Sequence, residues 1–256
     1  AENIRRLVEG SELLAQPGKK VQDAYSLRST PQVVGAAKDV LRFCREMFEI
    51  EMNGAGDNPL FFEDEGGTCI TGANFQGTPL AFALEFLGIA ITTVAALSER
   101  RTNRLMNPNL SRGLPAFLTR GAGMFSGLML TQYTAGALVC ENRVLCTPAA
   151  TGSIPAAADQ EDFVSMGMTT AIKTRQILEN SNAVLAVELI AAAQALDFRK
   201  PLKPGRGTKV AYDVIRSHVE FLDEDRPLFD DINTMAKVVK SGELLKEVED
   251  CLGPLK

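Results

Sequence analysis

Two short segments carry side chains whose types and spacing suit chemistry. In VQDAYSLRSTPQ, Gln22, Tyr25 and Arg28 recur every three residues just before a helical run. That spacing puts an amide, a phenol and a guanidinium on one side of a helical or 3₁₀ turn. A solvated turn accounts for the same pattern. In AADQEDFVSMG, Gln160 and Glu161 open a long apolar run. An acid in a first helical turn ordinarily complements the macrodipole, worth roughly 0.3–1 kcal/mol, so Glu161 has a structural reading beside a functional one. Other chemistries are excluded. The single histidine, His218, lies in the polar segment VIRSHVEFLDED, so a histidine metal cluster, a Cys–His pair or a Ser-His-Asp triad would need another chain to complete it. No glycine-rich phosphate cradle follows a strand, and no residues stand at metal-ligand spacing. Five cysteines without a C-x-x-C fit neither a disulfide framework nor a zinc ribbon, which predicts a reducing cytoplasmic setting.

The elements that must position these residues are helical. The run 32–52 after Pro31 repeats Val33, Ala37, Val40, Leu41, Cys44, Met47 and Phe48 at spacings of three and four, an amphipathic helix. NGAGDNPLFFEDEGG then reads as a long irregular connection, of a length that is usually functional, with a short hairpin around 60–62. Thr78-Pro79 opens a helix that runs to about Met106, where Asn107-Pro108 stops it. A third helix is predicted over about 121–144, an irregular stretch over PAATGSIP, and a long helix from Gln160 to about Phe198. Two helices, 208–222 and 228–252, follow. Within the second helix, 80–97 approaches a bilayer's thickness at about 1.5 Å per residue. Glu85 and two threonines interrupt it, and several other runs resemble it, so it reads as a buried bundle helix and no membrane partner is expected.

Composition sets the outer bounds. The 256 residues, 45% hydrophobic and 23% charged, suffice for a large core and exclude a disordered chain. Lys+Arg 27 against Asp+Glu 32 gives a net charge of -5 with no basic stripe, so nucleic acid is not an expected partner. Charges within AENIRRLVEG leave no signal-peptide core there, and the chain reads as entering mid-fold. Long, weakly charged helices without a linker or repeat predict one all-α long-helix bundle, 1–256, that hides more surface than it can cover alone and therefore assembles with other chains.

At these segments the sequence resembles the histidine and aromatic amino acid ammonia-lyase family. VQDAYSLRSTPQVVGAA, EIEMNGAGDNPLFF, GANFQGTP, ALSERRTNRLM, GLPAFL, SGLMLTQYTAGALVCENR and SIPAAADQEDFVSMG are similar to successive family blocks in family order. The likeness is clear over about 1–200 and looser beyond. It implies a mostly helical, usually homotetrameric lyase that eliminates ammonia from an aromatic or imidazole amino acid. The electrophile implied is a methylidene-imidazolone group made autocatalytically from an internal Ala-Ser-Gly. No Ala-Ser-Gly occurs here: the Ser-Gly pairs are Ser126-Gly127 after Phe125 and Ser241-Gly242 after Lys240. Family members are about twice as long, with the tripeptide in the front half together with a loop tyrosine that serves as base toward the β-carbon. The resemblance is therefore to the C-terminal half of the ammonia-lyase fold, expected to be inactive without a front half or companion subunit.

The same resemblance assigns roles. Arg28 matches the arginine that holds the substrate carboxylate, for which a planar fork suits two oxygens. Tyr25 matches a tyrosine beside the electrophile. A phenol with an ordinary pKa near 10 needs a cationic neighbour to act as a base near neutrality, and Arg28 stands one turn away. Gln22 matches a polar neighbour that fixes substrate or prosthetic group. Phe75 in GANFQG matches an aromatic that packs on the group or the substrate ring. Glu161 matches the acid that histidine-specific members place near the amine or imidazole, where phenylalanine-specific members usually carry glutamine. Three positions depart from the histidine-specific pattern: Gln76 and Phe163 stand where histidine is frequent, and Asp159 where asparagine is common. Glu161 argues for histidine and Gln76 leans toward phenylalanine or tyrosine. Glu161 weighs more, because a carboxylate pairs directly with an imidazole or ammonium. The expected reaction is thus L-histidine to urocanate. A phenylalanine or tyrosine ammonia-lyase, a 2,3-aminomutase and a non-catalytic oligomerisation partner are the alternatives.

Overall fold

A computed structural model of the chain describes residues 1–17 and 21–256. Among the described residues there are ten α-helices and one two-stranded sheet. The helices are α1 (Glu2–Leu7), α2 (Glu12–Ala15), α3 (Tyr25–Arg28), α4 (Thr30–Asn53), α5 (Thr78–Met106), α6 (Met129–Leu145), α7 (Gly167–Asp197), α8 (Arg206–His218), α9 (Phe229–Ser241) and α10 (Glu243–Leu252). The strands β1 (Leu60–Phe62) and β2 (Thr68–Ile70) pair antiparallel with Phe61 opposite Cys69, the hairpin expected around residue 60. The all-α architecture is as the helical periodicity predicts, and α5 runs over the span set by Thr78-Pro79 and Asn107-Pro108.

The helix predicted over 208–222 is α8 and ends at His218; three further boundaries differ from expectation, each for a backbone reason. The helix predicted from 121 starts at Met129, because Gly123 (φ 104°) and Gly127 (φ 54°) adopt left-handed conformations that end any right-handed run. The run predicted from Gln160 starts at Gly167, because Glu161 is held in a backbone bridge with Ala156 and Met166 (φ 55°) is left-handed. The predicted 228–252 helix is two helices, because Gly242 (φ 77°) serves as a left-handed cap between α9 and α10.

By packing, the chain divides into two compact units. The first holds Ala1–Gln32, Val94–Glu141 and Glu179–Lys256; the second holds Val33–Thr93 and Asn142–Leu178. The first unit's core gathers Met106, Leu118, Leu128, Ile190, Ile215, Val219, Leu222 and Met235 from α5, α7, α8, α9 and the intervening loops. A single amide organises its polar contacts. Gln194, 1% exposed, donates to the carbonyls of Leu118 (3.2 Å) and Leu222 (2.8 Å) and accepts from Leu222 N (3.1 Å) and Arg216 Nη2 (3.2 Å). Every hydrogen-bonding position of that buried side chain is used, which a core requires of an amide. Arg6 donates to the carbonyls of Pro254 (2.8 Å) and Gly253 (2.9 Å), so α1 is stitched to the last residues.

In the second unit α4, the front of α5 and the front of α7 pack together. Cys44, buried on α4, donates its thiol to the Ala83 carbonyl (3.0 Å), and the Phe43 and Phe86 rings lie 5.9 Å apart. Thr174 on α7 donates to the Leu84 carbonyl (3.1 Å), and a side chain added at Gly88 would meet Ile177 at 3.2 Å. Glycine at 88 thus lets the two helices approach closely. Helix α5 is long and apolar enough to cross a membrane by length and composition. Its small residues Ala81, Ala83, Ala90 and Ala95 are nonetheless buried against protein.

Candidate active site

In the first unit the site begins with one turn of helix. The Ala24 carbonyl accepts the N–H groups of Leu27 (2.9 Å) and Arg28 (3.0 Å), and Ser29 closes the turn by donating N–H (2.9 Å) and Oγ–H (2.5 Å) to the Tyr25 carbonyl. Tyr25 and Arg28, three apart, therefore share a face. The guanidinium carbon sits 4.7 Å from the phenol ring's centroid, a cation–π arrangement. Tyr25 is 73% exposed and Arg28 is exposed, so both polar ends face outward. Gln22 does not join them on the turn. It lies in the preceding bend, exposed, because α3 begins only at Tyr25. The three-residue spacing thus brings two of its three residues together.

The second unit presents Phe75, Gln76 and Glu161 on two loops. In the first, Asn74 donates its amide to the Ala55 carbonyl, and Gln76 N donates to Ala73 O at 2.9 Å. Phe75 between them keeps its ring 54% exposed. The Gln76 side-chain oxygen accepts Thr78 N (2.8 Å) and Thr78 Oγ (2.7 Å), which caps the start of α5. The carboxamide that leaned toward a phenylalanine or tyrosine substrate has its oxygen committed to a local task.

The second loop carries Glu161. It is exposed and stands in no helix; Ala156 and Glu161 exchange backbone hydrogen bonds of 2.9 and 3.2 Å as an isolated antiparallel bridge. The structural reading, an acid complementing a helix's first turn, is therefore corrected: α7 starts six residues later. Inside the bridge Ala157, Ala158 and Asp159 have φ of 51°, 53° and 65°. For L-residues with a Cβ such a conformation costs on the order of 1–2 kcal/mol each. Phe163 on the same loop is 63% exposed, and Ser153 Oγ accepts the Val164 N–H at 2.9 Å. A side chain added at Gly77 would meet Ser165 Oγ at 3.3 Å, so the loops bearing Phe75 and Glu161 touch at their bases.

Two features escaped the sequence reading. The first unit contains a cavity of about 760 Å³ whose lining includes Glu99, Asn103, Phe117, Met129, Gln132 and Tyr133. Its lining comes from α5, α6 and the 3₁₀ turn Ala116–Leu118, a convergence no local pattern announces. The other is Glu85, which is 7% exposed. Its carboxylate accepts the N–H groups of Ala149 (2.7 Å) and Ala150 (3.1 Å) and pairs with Lys173 Nζ. Burial pushes the Glu85 carboxyl up, but Lys173 and the two N–H groups outweigh it and hold the pKa below the ordinary value. A lone acid in an apolar helix signals a partner, because an unpaired buried charge is prohibitively costly.

The aromatic amino acid lyase model matches residues 1–217, so the chain belongs to that family. It is 51% identical over 250 residues to the histidine ammonia-lyase of Alkaliphilus oremlandii, covering 97% of this chain and 49% of that protein. To the histidine ammonia-lyase of Symbiobacterium thermophilum it is 50% identical over 256 residues, covering all of this chain and 50% of the relative. Among solved structures, tyrosine aminomutase from Streptomyces globisporus superposes with a TM-score of 0.90 at 42% identity, covering 99% of this chain and 52% of that one. The chain spans about half the length of the curated relatives it matches.

Proposed function

We propose that this chain is the C-terminal half of a histidine ammonia-lyase and works on L-histidine when joined to the half that bears Ala-Ser-Gly. The observation that carries the reading is the exposed Tyr25–Arg28 pair, held at 4.7 Å on a helical turn whose own hydrogen bonds leave both polar ends free to meet a ligand. Arg28 takes the amino acid's carboxylate with its planar fork. Tyr25, its ring under that positive charge, is the catalytic phenol this half places beside the electrophile. By the family resemblance, Glu161 in the second unit is the acid that meets a substrate's ammonium or imidazole in the complete enzyme. Gln76, occupied in capping α5, gives little support to a phenylalanine or tyrosine substrate. The identity of about one half to histidine ammonia-lyases supports the same substrate.

The methylidene-imidazolone fits this chain in one respect: Phe75 leaves half its ring exposed on a pinned loop, a flat apolar face suited to packing on a conjugated ring. When bound, the group supplies the electrophile that turns the amine into a leaving group. This chain's part is to hold the carboxylate, place the Tyr25 phenol beside the electrophile and fix the cationic end. The exposed apolar residues Phe82, Phe86, Ile89, Leu130 and Ile172 support a multi-chain assembly that would cover them, for which the family resemblance implies a tetramer. Five free cysteines support a cytoplasmic setting.

Replacing Arg28 by alanine in the complete enzyme tests the reading. With assembly intact, kcat/KM for urocanate formation should fall by about 10²-fold, the value of a charge-assisted pair; an unchanged rate would favour a non-catalytic scaffold. The similarity to a tyrosine aminomutase keeps a second reading in play, and a β-amino acid among the products would select it.

A further inference from the structure

We propose that Glu85, together with Lys173, is a positioning residue for Glu161: it closes the base of the loop that presents that acid. The inference rests on the reading of Glu161 as the substrate-facing carboxylate. Glu85 draws its partners from both stalks of the loop. On the incoming side are the N–H groups of Ala149 and Ala150, and Lys173 Nζ reaches across to the Thr147 carbonyl at 2.7 Å. On the outgoing side are Lys173 Nζ itself and Thr170 Oγ, 3.4 Å away. The ion pair is shielded, with side-chain exposures of 8% for Glu85 and 11% for Lys173. Between the stalks, residues 151–166 form no helix or strand beyond the bridge at Ala156 and Glu161.

That stretch contains the left-handed run Ala157, Ala158 and Asp159, and Met166 at φ 55°. A backbone of non-glycine residues persists there only when the surrounding structure over-determines it. One carboxylate that ties both ends supplies that constraint, and it shortens the segment left free to move. Solvation alone would not require a buried acid at 85: the surrounding α5 positions are apolar, and a charge there is tolerated only with its full set of donors. The hydrogen bonds of Glu85 and Lys173 run to Ala149, Ala150, Thr147 and Thr170 on the loop's stalks, so their influence on Glu161 runs through the loop.

The test is a mutant cycle in the complete enzyme with L-histidine, read as urocanate absorbance, with hydrogen exchange measured on the same variants. Glu161→Gln should lower kcat/KM. Glu85→Gln keeps shape and one acceptor but strands the lysine charge. It should lower kcat/KM by about tenfold or more through misplacement alone and speed exchange over 149–166, while α8 and α10 keep their protection. The double variant should lose no more than Glu161→Gln alone, because both changes act on one group. Where Glu85→Gln does not assemble, Lys173→Gln repeats the cycle from the other partner. An unchanged rate in Glu85→Gln, losses that multiply, or exchange accelerated throughout the chain would overturn the positioning role while leaving Glu161's own role standing. A silent Glu161→Gln would overturn both.

Discussion

At Arg28 the geometry separates charge from shape. Lysine would keep a cation over Tyr25 but lose the fork that meets two carboxylate oxygens. Arg28→Lys should therefore retain only part of the activity, with the loss seen mainly in KM, whereas Tyr25→Phe, which keeps the ring and removes the hydroxyl, should act mainly on kcat. Steady-state kinetics on the two variants checks the division. Asp197 poses a stability question instead. Its carboxylate, 9% exposed, accepts Tyr212 Oη (2.7 Å) and Arg216 Nε (2.9 Å), and Lys200 Nζ lies 2.6 Å away. Burial raises its pKa, but Lys200, Tyr212 and Arg216 together lower it below the ordinary value. A depressed folded pKa stabilises above the unfolded value of about 4 and loses that contribution as pH falls through the folded one. Asp197→Asn should cost roughly 2–3 kcal/mol at neutral pH. The gap to the unmodified chain should close in acid, as urea unfolding at pH 7 and pH 3 would measure.

Among the elements, two glycines with left-handed backbone carry different loads. Gly242 (φ 77°) separates α9 from α10, and a side chain added there meets nothing within 4 Å, so Gly242→Ala pays strain alone, about 1 kcal/mol. Gly127 (φ 54°) precedes α6, and a side chain there would strike the Phe117 carbonyl at 2.6 Å and Thr119 Cβ at 2.8 Å. Its N–H also donates to Asp225 at 2.8 Å, beside Ser126 N at 2.7 Å. Gly127→Ala should therefore destabilise by more, on the order of 2–3 kcal/mol, and thermal unfolding of the two variants should rank them in that order. Neither substitution touches Tyr25, Arg28 or Glu161.

For the whole molecule, the decisive composition is of surface. Tyr133, Leu130, Met168 and Ile172 lie more than half exposed along α6 and α7, as do Phe61 in the hairpin and Phe163 in the loop after α6. Exposed apolar side chains of this size are what an assembly with other chains would cover. The 256-residue chain by itself should form no urocanate, and addition of a polypeptide carrying the Ala-Ser-Gly half should restore absorbance growth. Sedimentation should show the mixture as larger than either component, and absence of both effects would count against a shared catalytic assembly.

Much of this was readable from residue order. Helical periodicity determined the all-α class, Thr78-Pro79 and Asn107-Pro108 bounded α5, and the spacing of Tyr25 and Arg28 was enough to pair them, because all of these depend on neighbours within a turn or two. Local pattern failed where backbone conformation was decided from afar. The apolar run after Gln160 looks helical throughout, yet its first residues belong to a bridged loop, entered through the left-handed Ala157–Asp159, whose stalks are tied to Glu85, more than sixty positions earlier. Gln76 looks like a free polar group, but the turn into α5 takes its oxygen. Residue order specified which groups the chain owns. Only the folded packing, through contacts between distant segments whose strength depends on burial, decided which of them stand open to a substrate and which are spent on holding the others in place.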